Sequence, residues 1–242
     1  VGILAGRIFS FLLINFAAVA VQAVPNSGDL LSLYAPALLA GGRHVTSTGP
    51  LAAHVLNPAL TAVDERINFD LGYIALVPTG NDSEGHLGYS FNAGVTIPTS
   101  IGVWGFSGHY LGSDISEPSE LVFGPLGSVN VSLAKELYRD IYLGVGFGFQ
   151  VGNYVNQKGN TEFTLGTDLD LGLFHKVGDL GPIQDLSWGF SLRGVGFGFA
   201  DADGYEVYDP LFTPALGVSL HPLSGENGSL ETKLDIWAFY LL

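Results

Sequence analysis

Residues 141–152 read Ile-Tyr-Leu-Gly-Val-Gly-Phe-Gly-Phe-Gln-Val-Gly. Side chains of an extended strand alternate between two faces. Ile141, Leu143, Val145, Phe147, Phe149 and Val151 therefore share one side, and Tyr142, Gly144, Gly146, Gly148, Gln150 and Gly152 the other. A half-solvated sheet normally carries charged or Thr-rich residues on the face away from its core. Here that face is almost bare, while the greasy face is large and aromatic. A strand with lipid outside and a small-residue lumen inside meets both conditions. The pattern predicts an all-β fold, an antiparallel outer-membrane β-barrel.

The same alternation recurs from Arg66 onward. Ile67, Phe69, Leu71, Tyr73, Ala75 and Val77 oppose Asn68, Asp70, Gly72, Ile74 and Leu76. Tyr89, Phe91, Ala93, Val95 and Ile97 oppose Ser90, Asn92, Gly94 and Thr96. Val129, Val131 and Leu133 form a further apolar row, as do Phe163, Leu165, Leu169, Leu171 and Leu173 opposite Asp168 and Asp170. Leu186, Trp188, Phe190 and Leu192 begin a strand whose parity flips at Val195, Phe197 and Phe199; a bulge near Gly194 or Gly196 accounts for the slip. Stretches 212–220 and 230–240 follow, with 101–111 an ambiguous member. The sum is about nine strands of transmembrane length. Short turns are read at 98–100 and 138–140, long acidic connections at 112–126 and 200–210, and an oversized turn at 178–184. Bacterial single-chain barrels hold an even number of strands. The count thus implies one strand more than the alternation reveals, or a truncated barrel.

Composition narrows the class. Charged residues make up 13% of the chain against roughly 25% in a typical soluble domain. The 34 glycines and 12% aromatics suit glycine-lined strands and interfacial aromatic girdles. With 23 acidic and 9 basic residues the chain lacks the basic footprint that nucleic acid requires. The absence of cysteine excludes disulfides, thiolate metal sites, cysteine nucleophiles and a lipidated lipoprotein cysteine.

Residues 1–23 are read as a signal peptide. Arg7 supplies the charged region, 8–20 the apolar stretch and Val21-Gln22-Ala23 the small residues for cleavage after Ala23. Residues 24–65 show no dyad pattern and form a separate hatch or plug segment ahead of the barrel strands, 66–242. Within it, Asn57-Pro58-Ala59 reads as a helix start, with Asn57 as cap and Pro58 at the first helical position.

Candidate chemistry is sparse. The histidines (His44, His54, His86, His109, His175 and His221) never reach metal-ligand spacing, so no metal and no cofactor is expected. Asp201-Ala202-Asp203-Gly204 is read as a hairpin turn, since the other calcium ligands of such a loop are missing. Ser107 and His109 lack a nucleophile elbow, and no enzymatic activity is expected. Asp70, Asn92, Asp168, Asp170, Arg193 and Lys233 are candidates for the lumen wall, with Arg193 or Lys233 pairing the two aspartates. Glu231, Lys233 and Asp235 share one face of the last strand.

With the hatch-like segment, the Asn57-Pro58-Ala59 triplet and the strands in place, the chain resembles the FadL-type outer-membrane transporters of long-chain fatty acids, particularly a spirochaete branch of them. Gly41-Gly42-Arg43 and the stretch 128–144, where Leu133-Ala134-Lys135 leads to Tyr142-Leu143-Gly144, add to the likeness. It covers residues 35 to about 155 best. The resemblance implies uptake of long-chain fatty acids or other hydrophobic small molecules, with Asn57, Pro58 and Ala59 in a gating hatch. It implies a hydrophobic small molecule, outer-membrane lipid and the barrel-assembly machinery as partners, and a barrel of roughly fourteen strands. The alternative is a non-transporting structural or surface-antigen barrel, a truncated member without transport.

Overall fold

The computed structural model describes residues 45–46, 56–76, 88–113, 126–155, 161–181, 183–199, 212–225 and 228–238. The chain divides into two compact units, 1–30 and 31–242, and all described residues belong to the second. The expected signal peptide with Ala23, most of the 24–65 segment, and the acidic 200–210 connection lie outside the described residues.

Nine strands form one antiparallel sheet in which every neighbour in sequence is a neighbour in space. They are β1 (Asn68–Leu76), β2 (Gly88–Thr99), β3 (Gly102–Ser113), β4 (Leu126–Tyr138) and β5 (Ile141–Val155), then β6 (Thr161–Leu180), β7 (Ile183–Phe199), β8 (Thr213–Gly225) and β9 (Gly228–Trp237). The ambiguous 101–111 stretch is a full strand, β3. An odd number of strands in a meander leaves β1 and β9 running in the same direction. Among the described residues each is paired on one side only. Among the described residues the sheet is thus nine-stranded and antiparallel, and it does not close into the expected barrel.

The alternation sorts the faces as the dyads predict. Phe69, Tyr89, Phe91, Val145, Phe147, Phe149 and Leu171 are exposed on one face. Ser90, Asn92, Ser107, Ser128, Ser132, Asp168, Ser191 and Arg193 are buried on the other. Among the described residues no helix is long and apolar enough to cross a membrane.

Turn chemistry explains the connections. Arg139 and Asp140 both have positive φ, which matches the twist of a two-residue hairpin. The Glu136 carboxylate accepts the Asp140 N–H at 2.7 Å and helps hold that turn. The oversized turn expected at 178–184 is instead strand: β6 runs to Leu180 and β7 starts at Ile183. Register irregularities flank Gly178, and Gly178, Gly181 and Asp185 all have positive φ. These irregularities hide the strand rhythm from the sequence. The bulge expected at Gly194 is present: Leu169 faces Val195 while Leu171 faces Leu192, so one extra β7 residue lies between them. Gly194 adopts φ +68°, and its N–H donates to Asp170 Oδ1 at 2.9 Å.

The sheet is strongly curved. Thr61 reaches Ser132 on β4, while Val45, bonded to Asn57, reaches Asp235 on β9. Five strand spacings separate β4 from β9, about 24 Å in a flat sheet. Four residues of 3₁₀ helix advance only about 8 Å. One short segment touches both strands because the sheet curls around it.

Candidate functional site

The concave face holds a short 3₁₀ helix, η1 (Pro58–Ala62), entered through an extended Asn57. The expected cap is formed: Asn57 Oδ1 accepts the Ala59 N–H at 3.1 Å, and Pro58 occupies the first turn. The helix ends at Ala62, with Val63 N–H closing on Leu60 O at 3.2 Å. It is 3₁₀ rather than α because five residues are too few to establish the i→i+4 ladder.

Asn57 does more than cap. Its Nδ2 donates to Val45 O and to Leu173 O on β6, each at 3.1 Å. One fully buried amide thus ties the helix start, a second inner segment and the sheet wall together. An aspartate of the same shape has no donors to supply the last two bonds.

Glycines make this seat possible. Gly144 on β5, Gly172 on β6, Gly189 on β7 and Gly217 on β8 lie on successive strands, with Gly144 opposite Gly172 and Gly189 opposite Gly217. A Cβ on Gly144 would run into the Pro58 carbonyl and the Ala59 nitrogen. On Gly172 it would meet Asn57 Oδ1, on Gly189 the Val45 carbonyl, and on Gly217 Val45 Cγ2 and the Asp235 carboxylate. The bare face read from residues 141–152 is therefore a floor that lets a second piece of backbone lie flush against the strands.

Both ends of the seated segment are fixed by polar contacts. Thr61 Oγ1 and Ser132 Oγ on β4 lie 3.1 Å apart, and Asp235 Oδ2 accepts the Val45 N–H at 2.8 Å. Between them Ala59, Leu60 and Ala62 pack with Val103, Ala134, Tyr142 and Phe174 in a small apolar cluster. The Tyr142 and Phe174 rings sit 6.1 Å apart within it.

The inner wall divides by charge. Asp168, Asp170 and Arg193 on β6 and β7, and Glu231, Lys233 and Asp235 on β9, form its charged part. Arg193 acts electrostatically on both Asp168 and Asp170, as expected. Lys233 instead bonds Glu231 on its own strand at 3.1 Å. Neighbours i and i+2 on one strand face share a side, so that partner is simply nearer. Gln150 Nε2 donates to Asp168 Oδ2 at 3.3 Å, and the Asp168 carboxylate fills the space a Cβ on Gly148 would need. The Arg193 guanidinium lies over the Trp237 ring, 5.7 Å from its centroid.

The β2, β3 and β4 part of the wall carries no Asp, Glu, Lys or Arg at inner positions 90–96, 107–109 and 128–132. Asn92 and His109 face each other across β2 and β3, and His109 Nε2 lies 3.0 Å from Ser90 Oγ. Ser107, the neighbour suggested by sequence, is not the one that His109 meets there. Asp70 sits at intermediate exposure on β1 opposite Gly94. All six lumen-wall candidates therefore fall on the face opposite the exposed aromatics. Among the described residues no group of three or more His, Asp or Glu side chains could hold a metal ion.

Sequence reading missed three parts of this site. Val45 and Ser132 carry no motif, and Asp235 read only as one of three charges sharing a face of the last strand. The in-register glycines on adjacent strands were the available signal, but register is not written in any single strand. Compared with known proteins, the chain matches no family model, no curated protein and no solved structure.

Proposed function

We propose that this chain is an outer-membrane β-barrel protein of FadL-like type, which takes up hydrophobic small molecules past a hatch seated on its inner wall. The observation that carries the reading is the Asn57 seat. A purely structural wall has no need of glycines on four adjacent strands, cleared for Val45 and for a buried 3₁₀ turn that three Asn57 side-chain bonds hold in place. The outer face supports a lipid setting. Phe69 is 79% exposed, Phe147 53% and Leu234 67%, and such residues recur on every strand from β1 to β9. Soluble monomers rarely leave contiguous apolar patches beyond a few hundred Å². In a bilayer the same face is buried in acyl chains.

In this mechanism the barrel wall excludes lipid, and the seat holds the hatch closed through short-range hydrogen bonds. The guest passes when Asn57 releases Leu173 O and η1 shifts off the glycine floor. The bonds at stake are few, so the hatch can move while the sheet ladder stays intact. An Asn57→Ala, Pro58→Ala double variant should assemble in the outer membrane and alter uptake of a hydrophobic probe or the conductance of planar bilayers. Normal assembly with unchanged uptake and conductance would count against the hatch.

Among the described residues β1 and β9 are each paired on one side only, which favours a second reading, a structural or surface-antigen barrel without transport. Unpaired strand edges inside lipid leave backbone groups unsatisfied, so a sealed pore needs further strands at these edges. Absence of any discrete conductance from the assembled protein, with or without the double substitution, would select that reading.

A further inference from the structure

We propose that the wall of β2, β3 and β4 binds the polar end of an amphipathic guest, and that this end is a neutral hydroxyl or amide rather than an ionised carboxylate. The inference rests on the hydrophobic-uptake reading and names the head group of its ligand.

The starting point is Asn92. It is 0% exposed, and among the described residues neither its Nδ2 nor its Oδ1 has a hydrogen-bond partner. Native interiors satisfy buried amides with protein, water or ligand, because an unpaired donor and acceptor each carry an uncompensated desolvation cost. Beside it on β1 stands Gly72, which presents no side chain. Across from it on β3 stands His109, whose Nε2 is engaged with Ser90 Oγ. Asn92 is thus a buried amide whose donor and acceptor no described residue satisfies.

The surroundings select the chemistry. On this wall Ser90, Asn92, Ser107, His109 and Ser128 are buried. Between Ser90 and Thr96 on β2, Ser107 and His109 on β3, and Ser128 and Ser132 on β4, the inner positions include no Asp, Glu, Lys or Arg. Among the described residues the inner-face cations, Arg193 and Lys233, stand on β7 and β9, where Arg193 acts on Asp168 and Asp170 and Lys233 bonds Glu231. The inner side of β5, with Gly144, Gly146, Gly148 and Gln150, adds no charge between the two parts. Among the described residues, a carboxylate placed against Asn92 would be a buried charge with no Lys or Arg beside it. It can also only accept, and would leave Asn92 Oδ1 unpaired. A hydroxyl or an amide both donates and accepts, and so satisfies both ends of Asn92 at once.

The test uses the full chain refolded in detergent micelles, with octan-1-ol and octanoate as probes at pH 8 and the Asn92 side-chain amide observed by ¹⁵N NMR. Octan-1-ol should shift that amide saturably and bind at least tenfold more tightly than octanoate. Asn92→Leu should weaken octan-1-ol at least tenfold and abolish the preference. Gly72→Val, which keeps the amide but places a branched side chain at the position opposite it, should do the same and decides the matter if Asn92→Leu does not assemble. Tighter binding of octanoate would overturn the proposal and move the head group to the charged part of the wall. Octan-1-ol binding untouched by both variants would also overturn it, with water alone satisfying Asn92. Saturable binding of neither probe would reject this head-group site together with the uptake reading, whereas the first two failures leave hydrophobic uptake standing.

Discussion

Adding one methyl group at Gly172 should unseat the inner helix without unfolding the sheet. A Cβ there would collide with Asn57 Oδ1, and would sit 2.7 Å from the Ala59 nitrogen and 2.9 Å from Pro58 Cδ. Asn57 Oδ1 is held by the Ala59 N–H, and the other two are a backbone atom and a ring atom, so the segment itself must lift. Lifting it breaks the bonds from Asn57 Nδ2 to Leu173 O and Val45 O and strains the Asn57–Ala59 cap. At a net 0.5–1.5 kcal/mol per hydrogen bond, the seat should lose about 2–4 kcal/mol. That corresponds to about 30- to 700-fold faster local opening. The β5–β6 and β6–β7 ladders on either side use backbone groups only and should stay closed. Amide hydrogen exchange on Gly172→Ala should therefore show lost protection at Ala59 and Leu60, with Leu143, Leu171 and Phe190 unchanged. Gly146→Ala is the graded control: its Cβ would lie 3.2 Å from Asp170 Cβ and 3.7 Å from Pro58 Cβ, which a small shift absorbs. Undiminished protection at Ala59 in Gly172→Ala, or equal losses in both variants, would refute the glycine-seat argument.

Phe147→Arg should cost about 2–4 kcal/mol of folding stability in vesicles if the residue meets the bilayer midplane, measured by urea titration, while Gly146→Ser costs far less. Spin labels at 145, 147 and 149 should contact lipid and those at 144, 146 and 148 should not; equal contact would exclude a lipid-facing outer wall. Gly194→Val should lower stability by about 1–2 kcal/mol, because φ +68° puts a side chain against its own carbonyl, and should shift the urea midpoint without loss of strand signal. Asp235→Ala removes the carboxylate that accepts the Val45 N–H at 2.8 Å. A charge-assisted bond of that kind is worth about 1.5–3 kcal/mol, so exchange at Val45 should rise at least tenfold with β8–β9 pairing retained.

The sequence by itself determined the strands, their faces and the cap. Alternation of period two is a local property, so Phe147 and Gly146 reveal opposite faces without reference to any neighbour. Asn57 and Pro58 likewise announce a helix start through bonds made within two residues. Even the Gly194 bulge was legible, since a parity flip must be absorbed inside the strand that shows it. Where irregularities interrupt the rhythm, around Gly178, the strand was read as a loop.

Tertiary structure decided what the bare face is for. Gly144, Gly172, Gly189 and Gly217 are far apart in sequence, and only strand register lines them up beneath Asn57 and Val45. The grouping of charge on the inner wall has the same origin: Asp168, Asp170 and Arg193 become one group only when β6 and β7 pair. Lys233 found a nearer carboxylate on its own strand than the two aspartates it was expected to meet. Faces follow from the geometry of one strand, whereas seats and charge pairs follow from the offsets between strands. Those offsets are set by the sum of turns and bulges along the whole sheet.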